Sequence, residues 1–490
     1  MGTQRERVAV VGLLTVVVVG TSLVLFEGFT IASIERAIAI GSACAAIAAI
    51  ALVPALRSAL TMRMVLVASL LLMTIAVVQP PQESQDLWSY AMNGRIVEHY
   101  GASPYTHAPA DYPNDPLLAQ VGAGWRHTRS LYGPAFTAVS AGILSVAGSA
   151  LLPTRLGFQL LAALCVLAAL ILLIRTTRDP VVVLLVGCNP VVIIEVVNIG
   201  RNDAIVGLAL LGGVLLATRR RFVAAAVVLA LAALVKIAVV AVLGAVLLWM
   251  WRRHGPRVAA RAAAAGAVVM AIPYAIAGGV SALRPVANAA NRMSRASIWQ
   301  ITRSDGPEHL LGIHGAQHVG AVIGSVGPGA LLTVVALAVL FSLSRLNDPS
   351  PELVAIGAVV AFLLAGSYVL ASYAAWVIPI AAWRHRAGIS RAILVWSALL
   401  TIAYQAARPM PTTPEDLAVW LVSSATLSVA LVAIVGLSVA AVRRLRDGQG
   451  VRPARPASRS AIGASADTAT SGPKIPDERI SSDSMPCATW

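Results

Sequence analysis

The chain has 490 residues, 58% hydrophobic, 12% charged and 5% aromatic, with a formal net charge of +15 and a mean hydropathy of +0.79. A soluble domain carries roughly 25% charged residues, so this chain lacks the charge to cover the surface of a soluble enzyme of its length. The composition excludes a soluble globular fold and predicts an all-α polytopic membrane protein.

The positive charge is no nucleic-acid signal, because the arginines fall in short clusters between apolar runs, as membrane topology requires. Lysine occurs only at Lys236 and Lys474. Cys44, Cys165, Cys188 and Cys487 have no paired or metal-ligand spacing, so neither a disulfide framework nor a zinc site is expected.

In chain order, spans are predicted at Val8–Phe26, Ala37–Leu56, Met64–Val78, Gly133–Leu152, Leu156–Ile174, Asp203–Ala217, Val258–Ile276, Leu331–Leu343, Leu353–Leu370, Ala392–Ala407 and Val419–Val442. Val8–Phe26 lacks a following small-residue cleavage site and reads as a retained span. Pro180–Asn198 is interrupted by Gly187-Cys188-Asn189-Pro190, and a mid-helix proline breaks or kinks a helix. Phe222–Trp251 is too long for one upright span, which predicts a hairpin of short helices. These segments add up to about 12–14 crossings.

Arg5/Arg7, Arg57/Arg63, Arg155, Arg219–Arg221, Arg252/Arg253/Arg257 and Arg443/Arg444/Arg446 are expected on the cytoplasmic side. That leaves residues 80–131 and 281–318 as external loops and both termini inside. Asn198–Asp203 then comes outside if Pro180–Asn198 is re-entrant, with Arg175 and Arg178 outside against the rule. Residues 1–446 form the membrane domain, and the Pro-, Ser- and Ala-rich residues 447–490 read as a disordered cytoplasmic tail.

The first external loop runs Asp86-Leu87-Trp88-Ser89-Tyr90…Gly94-Arg95, then Tyr100-Gly101…Pro104-Tyr105, Trp125 and Tyr132-Gly133-Pro134. Asp86 follows a span closely, so its carboxylate sits at the membrane boundary, where it can serve as a general base. An N-cap of an interfacial helix fits the same position. On a helix from Asp86, Tyr90 shares its face and Arg95 a neighbouring flank; belt aromatics are the bland reading of Trp88 and Tyr90. Asp111 and Asp115, among Pro and Asn, read as turn residues.

A second group lies in apolar sequence: Asn189, Glu195, Asn198, Asn202 and Asp203. Glu195, Asn198 and Asn202 share a helical face, and ionisable groups at membrane depth point to function; Asn189 and Asn198 can instead serve backbone groups freed by Pro190 and Gly200. Lys236 is a compact cation suited to a phosphate, unless it snorkels. The loop Arg284…Arg292…Arg295…Arg303 gathers cations outside, where an anionic lipid head group would find them. His314 and His318 lack a third ligand, and no metal is expected. Tyr368…Tyr373…Trp376 reads as an aromatic wall or a belt.

These segments resemble GT-C superfamily glycosyltransferases, and within it the actinobacterial polyprenol-phosphate-mannose-dependent α-(1→6)-mannosyltransferases. The resemblance rests on Asp86…Tyr90…Arg95…Tyr105…Tyr132-Gly133-Pro134, Asn189-Pro190…Glu195, Asn202-Asp203-Ala204 and Leu234-Val235-Lys236-Ile237, roughly Asp86 to Val240. It implies a GT-C-like bundle whose large first external loop carries interfacial helices. Where those relatives tend to have His before Asn-Asp, this chain has Arg201, a permanent cation.

The implied reaction is inverting mannosyl transfer at the outer face of the plasma membrane, from polyprenyl-phosphate-mannose to a lipid-linked mannan, without a cofactor. Asp86 would be the base. Tyr90, Arg95, Tyr105, Tyr132, Glu195, Arg201, Asn202 and Asp203 would bind substrate, and Lys236, Arg292 and Arg303 the donor phosphate. The partners would be the bilayer, donor and acceptor, with no nucleic acid. An arabinofuranose donor fits the same residues, and a lipid-linked-sugar flippase would also use broken helices with polar residues at depth.

Overall fold

The computed structural model describes residues 3–27, 33–81, 84–289, 294, 350–366 and 368–406. The spans expected at Leu331–Leu343 and Val419–Val442, the arginines Arg292 and Arg303, and the tail 447–490 lie outside the described residues.

Among the described residues the chain is helical, with no strand. The helices begin α1 Gln4–Glu27, α2 Ser33–Leu52, α3 Pro54–Ala59, α4 Met62–Val78, α5 Asp86–Glu98, α6 Ala123–Arg126, α7 Pro134–Ala147, α8 Leu151–Thr177 and α9 Pro180–Gly187. A π-helix, Val191–Asn198, follows, then α10 Asp203–Thr218, α11 Phe222–Ala233, α12 Val240–His254, α13 Pro256–Ile276 and α14 Arg284–Ala289. The last are α15 Pro351–Ala365, α16 Ile378–Trp383 and α17 Gly388–Ala406. Proline opens α3, α7, α9, α13 and α15, the position where its missing N–H costs nothing.

Five described helices are long and apolar enough to cross a membrane, and the bent pair α9 and π-helix makes a sixth. Large apolar residues such as Val8, Val67, Leu164 and Ile272 are exposed, as expected of lipid-facing surface. Every residue of Val181–Gly187 and Val191–Asn198 is buried. A helix apolar all round belongs in the centre of a bundle, and this broken one is the axis on which the site is built.

The break has a local cause. Pro190 cannot donate, and the Asn189 side chain answers by donating Nδ2 to the Leu185 carbonyl (3.2 Å) and accepting from Val191 N (3.0 Å). The axis bends by 50° there. At the far end, Asn198 Nδ2 donates to the carbonyls of Ala76, Gln79 and Pro80 at 3.0–3.2 Å. Gln159 of α8 donates to Ala76, Gln79 and Asn198 carbonyls. Asn189 and Asn198 are thus backbone-satisfying residues.

These contacts correct the expected topology. Arg155 donates to the Val78 carbonyl at 3.1 Å, placing the start of α8 at the far end of α4 from Arg57. Asp179, beside Arg178, pairs with Arg57 at 2.8 Å. So Arg155 lies on the opposite side from Arg57, while Arg178 lies on the same side. The run Gly133–Leu152 returns to the side it left, and α9 with the π-helix passes through from the Arg57 side to the Val78 side. Apolarity alone cannot distinguish a non-crossing helix such as α7, which packs one face on α5, from a span. Phe222–Trp251 divides as expected: Leu234–Val239 joins α11 to α12, and Phe222 meets the His254 ring at 4.4 Å, closing a hairpin.

Candidate active site

The site lies at the Val78 end of the bundle, where α5, the π-helix, the N-terminus of α10 and the α11–α12 break converge. Asp86 is the first residue of α5 but not its cap; that position is Gln85. Its Oδ2 instead meets Arg201 Nη2 at 3.1 Å, and Arg201 Nη1 reaches Glu195 Oε2 at 3.2 Å. Asp86 Oδ1 has no partner among the described residues, and the side chain is 16% exposed.

Beside this fork, Lys236 Nζ binds Asp203 Oδ1 at 2.6 Å. Trp376 Nε1 donates to the same oxygen at 2.5 Å, and the ammonium stands 4.4 Å from the centre of the Tyr373 ring. Lys236 is extended at a helix break, which releases it from a helical face and turns it to α10. The two pairs feel one another: Lys236 lies within electrostatic range of Arg201 and Asp86, and Arg201 within range of Asp203. Three carboxylates and two cations leave the cluster anionic by one.

An aromatic wall completes the site. Tyr90 packs edge-on to Tyr132 at 4.8 Å and Phe136 at 5.0 Å. Burial pushes both the Tyr90 and Tyr132 phenols well above their ordinary value, and the nearby Asp86 carboxylate adds to it, so both stay neutral. Tyr132 leads into Gly133, whose N–H donates to the Val235 carbonyl at 3.0 Å; Ala135 N donates to Leu234 O at 3.2 Å. A Cβ on Gly133 would collide with the Leu234 carbonyl. The segment that leads into α7 is therefore fastened to the α11–α12 break next to Lys236.

The structure thus brings together Asp86, Tyr90, Tyr132, Glu195, Arg201, Asp203 and Lys236. Asn202 is 1% exposed, and neither amide atom has a partner among the described residues. Two expected site residues go elsewhere. Arg95 is drawn away to Asp115 at 2.6 Å. Tyr105 donates to the Tyr132 carbonyl and pairs with Thr137 Oγ1, each at 3.0 Å; it braces the wall from behind. Asp115 is no mere turn residue, since it also accepts from Tyr100 Oη and Leu117 N. Glu195 and Asn198 do not share a wall, because the π-helix departs from α-helical spacing. Sequence reasoning left Trp376 between wall and belt; no spacing could announce its bond to Asp203, 173 residues away.

The family model "Alpha-(1->6)-mannopyranosyltransferase, N-terminal domain" matches residues 9–253. The chain is 30% identical over 180 residues to Alpha-(1->6)-mannopyranosyltransferase A of Corynebacterium glutamicum, covering 36% of each chain. It is 28% identical over 183 residues to the protein of that name from Mycobacterium tuberculosis, covering 36% of this chain and 34% of that one. Each match spans about a third of the relative's length.

Proposed function

The chain belongs to the α-(1→6)-mannopyranosyltransferase family, and from that premise we propose that it transfers mannose from a polyprenyl-phosphate donor to a lipid-linked mannan. The acceptor's 6-hydroxyl oxygen attacks the anomeric carbon of the donor mannose. Its proton passes to Asp86, the bond from that carbon to the phosphate oxygen breaks, and polyprenyl phosphate departs with inversion at the anomeric carbon. The observation that carries this reading is the carboxylate of Asp86: one oxygen is held by Arg201 and the other has no partner among the described residues, just past the end of a membrane helix. A base so oriented has a lone pair to offer an incoming hydroxyl.

The site faces the outer side in this reading. With the corrected topology, Arg57, Arg63, Arg175, Arg178, Arg219–Arg221, Arg252, Arg253, Arg384 and Arg386 gather at the end away from Asp86, which supports placing that end in the cytoplasm. Lys236, within electrostatic range of Asp86, would meet the developing phosphate charge. Because the cluster is already anionic, Arg292 and Arg303 are the further cations for the donor phosphate. Asn202 and Asp203 offer amide and carboxylate atoms to sugar hydroxyls.

The test is to incubate detergent-purified protein with synthetic polyprenyl-phosphate-mannose and a short α-mannoside, following product by mass with Asp86→Asn alongside. Extended product from the wild type, and none from Asp86→Asn, is the expected result. Equal product from both would remove Asp86 from its role. No product from either, with intact protein, would turn attention to other polyprenyl-phosphate sugars and then to lipid flipping.

A further inference from the structure

We propose that Glu195 is a positioning residue: through Arg201 it sets where Asp86 stands and how readily that carboxylate takes a proton. The inference rests on the reading of Asp86 as proton acceptor.

Glu195 and Arg201 are six residues apart, which on a regular α-helix puts them on well-separated faces. The π-helix and the turn at Gly200, with φ of +68°, undo that separation. Arg201 N donates to the Val196 carbonyl at 2.9 Å, and the side chain folds back to Glu195. The guanidinium is a rigid planar fork, so the torsions that satisfy Glu195 at 3.2 Å also fix the branch that meets Asp86 at 3.1 Å. Glu195 is 3% exposed, and its carboxylate meets Arg201 Nη1. It reaches the chemistry through Arg201.

The electrostatic argument follows from the sharing. A like charge nearby disfavours ionisation of a carboxylate, so Glu195 offsets part of what Arg201 gives Asp86. Deleting the charge of Glu195 leaves more of Arg201 to Asp86, which favours the ionised carboxylate and makes it a weaker base. Among the described residues, the other groups acting on Asp86 are Tyr90 on its own helix, Tyr132 before α7, and Lys236 at the α11–α12 break; Asp203 acts on Arg201 from α10. Glu195 faces Arg201 and, from α17, Tyr404. The phenols stay neutral and Lys236 is paired with Asp203, so Glu195 is the group that shares Arg201 with Asp86 by direct contact.

The experiment is the pH dependence of kcat/KM for the full chain in detergent, with Glu195→Gln and Glu195→Asp beside wild type. Glu195→Gln is expected to move the acid limb to lower pH by about one unit and to lower the plateau about tenfold. Glu195→Asp, with its charge withdrawn by one methylene, should move the limb the same way by less. An acid limb left at its wild-type position in Glu195→Gln, whatever the rate, would overturn the proposal and leave Glu195 merely structural. If Glu195→Gln fails to accumulate in membranes, the limb of Glu195→Asp decides in the same manner. An infrared titration of the Asp86 carboxyl, isolated as each protein's difference from its Asp86→Asn form, needs no substrate. A displaced titration in a chain that transfers no mannose keeps the positioning role and rejects the transferase reading. An undisplaced one in an active enzyme rejects the positioning role alone.

Discussion

Lys236 Nζ stands 2.6 Å from Asp203 Oδ1, so the one lysine of the membrane region neutralises the carboxylate that opens α10. Its ammonium is covered by Tyr373 and Trp376. Both partners are nearly buried, and removing one strands the other as an uncompensated charge. Lys236→Met is therefore expected to destabilise the protein by about 3–5 kcal/mol. Adding Asp203→Asn to that variant should restore a large part of the loss. Thermal unfolding in detergent decides the point: a Lys236→Met protein as stable as wild type would mean that the pair does not hold α10 to the α11–α12 break.

The pairing of Arg95 with Asp115 leads to a different expectation from the one its sequence position suggests. Arg95 Nε meets Asp115 Oδ2 at 2.6 Å, and Asp115 also accepts from Tyr100 Oη and Leu117 N. This carboxylate ties α5 to the loop beyond it. Asp115→Asn should loosen that loop, with a loss of about 3 kcal/mol and faster proteolytic cleavage between His99 and Ser130. The donor KM of the folded fraction should stay at its wild-type value, because Arg95 faces away from Asp86. A raised donor KM with unchanged proteolysis would return Arg95 to substrate binding.

Much of this architecture is legible from the sequence, and the residues show where legibility stops. The apolar runs mark the helices, and Asn189-Pro190 marks the break because proline's missing donor acts locally. Asp86 stands out because a carboxylate directly after a span is costly without a role. Sidedness is another matter. The α7 run is as apolar as a span, yet it packs on α5, and it takes the contacts of Arg155 with Val78 and of Gln159 with Gln79 to reveal that α8 starts on that same side. Pairings such as Arg201 with Asp86 or Trp376 with Asp203 join residues more than a hundred positions apart, and no local pattern encodes them. Arg95 misleads even over 20 positions: its charge invites a substrate role until Asp115 is found as its partner.

Gly133 offers a steric test of how the loop is fastened. Its N–H and that of Ala135 take the carbonyls that the α11–α12 break leaves open, and its missing Cβ is what allows that approach. Gly133→Ala must push the Leu234 backbone away, and overpacking of this kind costs about 1–3 kcal/mol. The displacement falls next to Lys236 and Tyr132, so turnover should drop by more than the stability loss predicts. Melting temperature and kcat measured together check this; a Gly133→Ala enzyme with wild-type kcat would show that the loop and the Lys236 break are independent.

Tyr105 provides the pH test. Its hydroxyl donates to the Tyr132 carbonyl and pairs with Thr137, and burial pushes its phenol up to about 12 from an ordinary 10.0. In the unfolded chain the phenol ionises at lower pH than in the fold, so between these values the unfolded state holds fewer protons and gains on the native one. The stability tied to the neutral phenol is whole below pH 10 and drains away as pH rises toward about 12. Tyr105→Phe should lose roughly 1–2 kcal/mol at neutral pH, from the missing hydrogen bonds, and should then show a shallower alkaline decline than wild type. Denaturation followed across pH 8 to about 12 makes the comparison. Parallel curves for the two proteins would mean that the Tyr105 hydroxyl does not titrate with unfolding, and its place behind the Tyr132 wall would have to be redrawn.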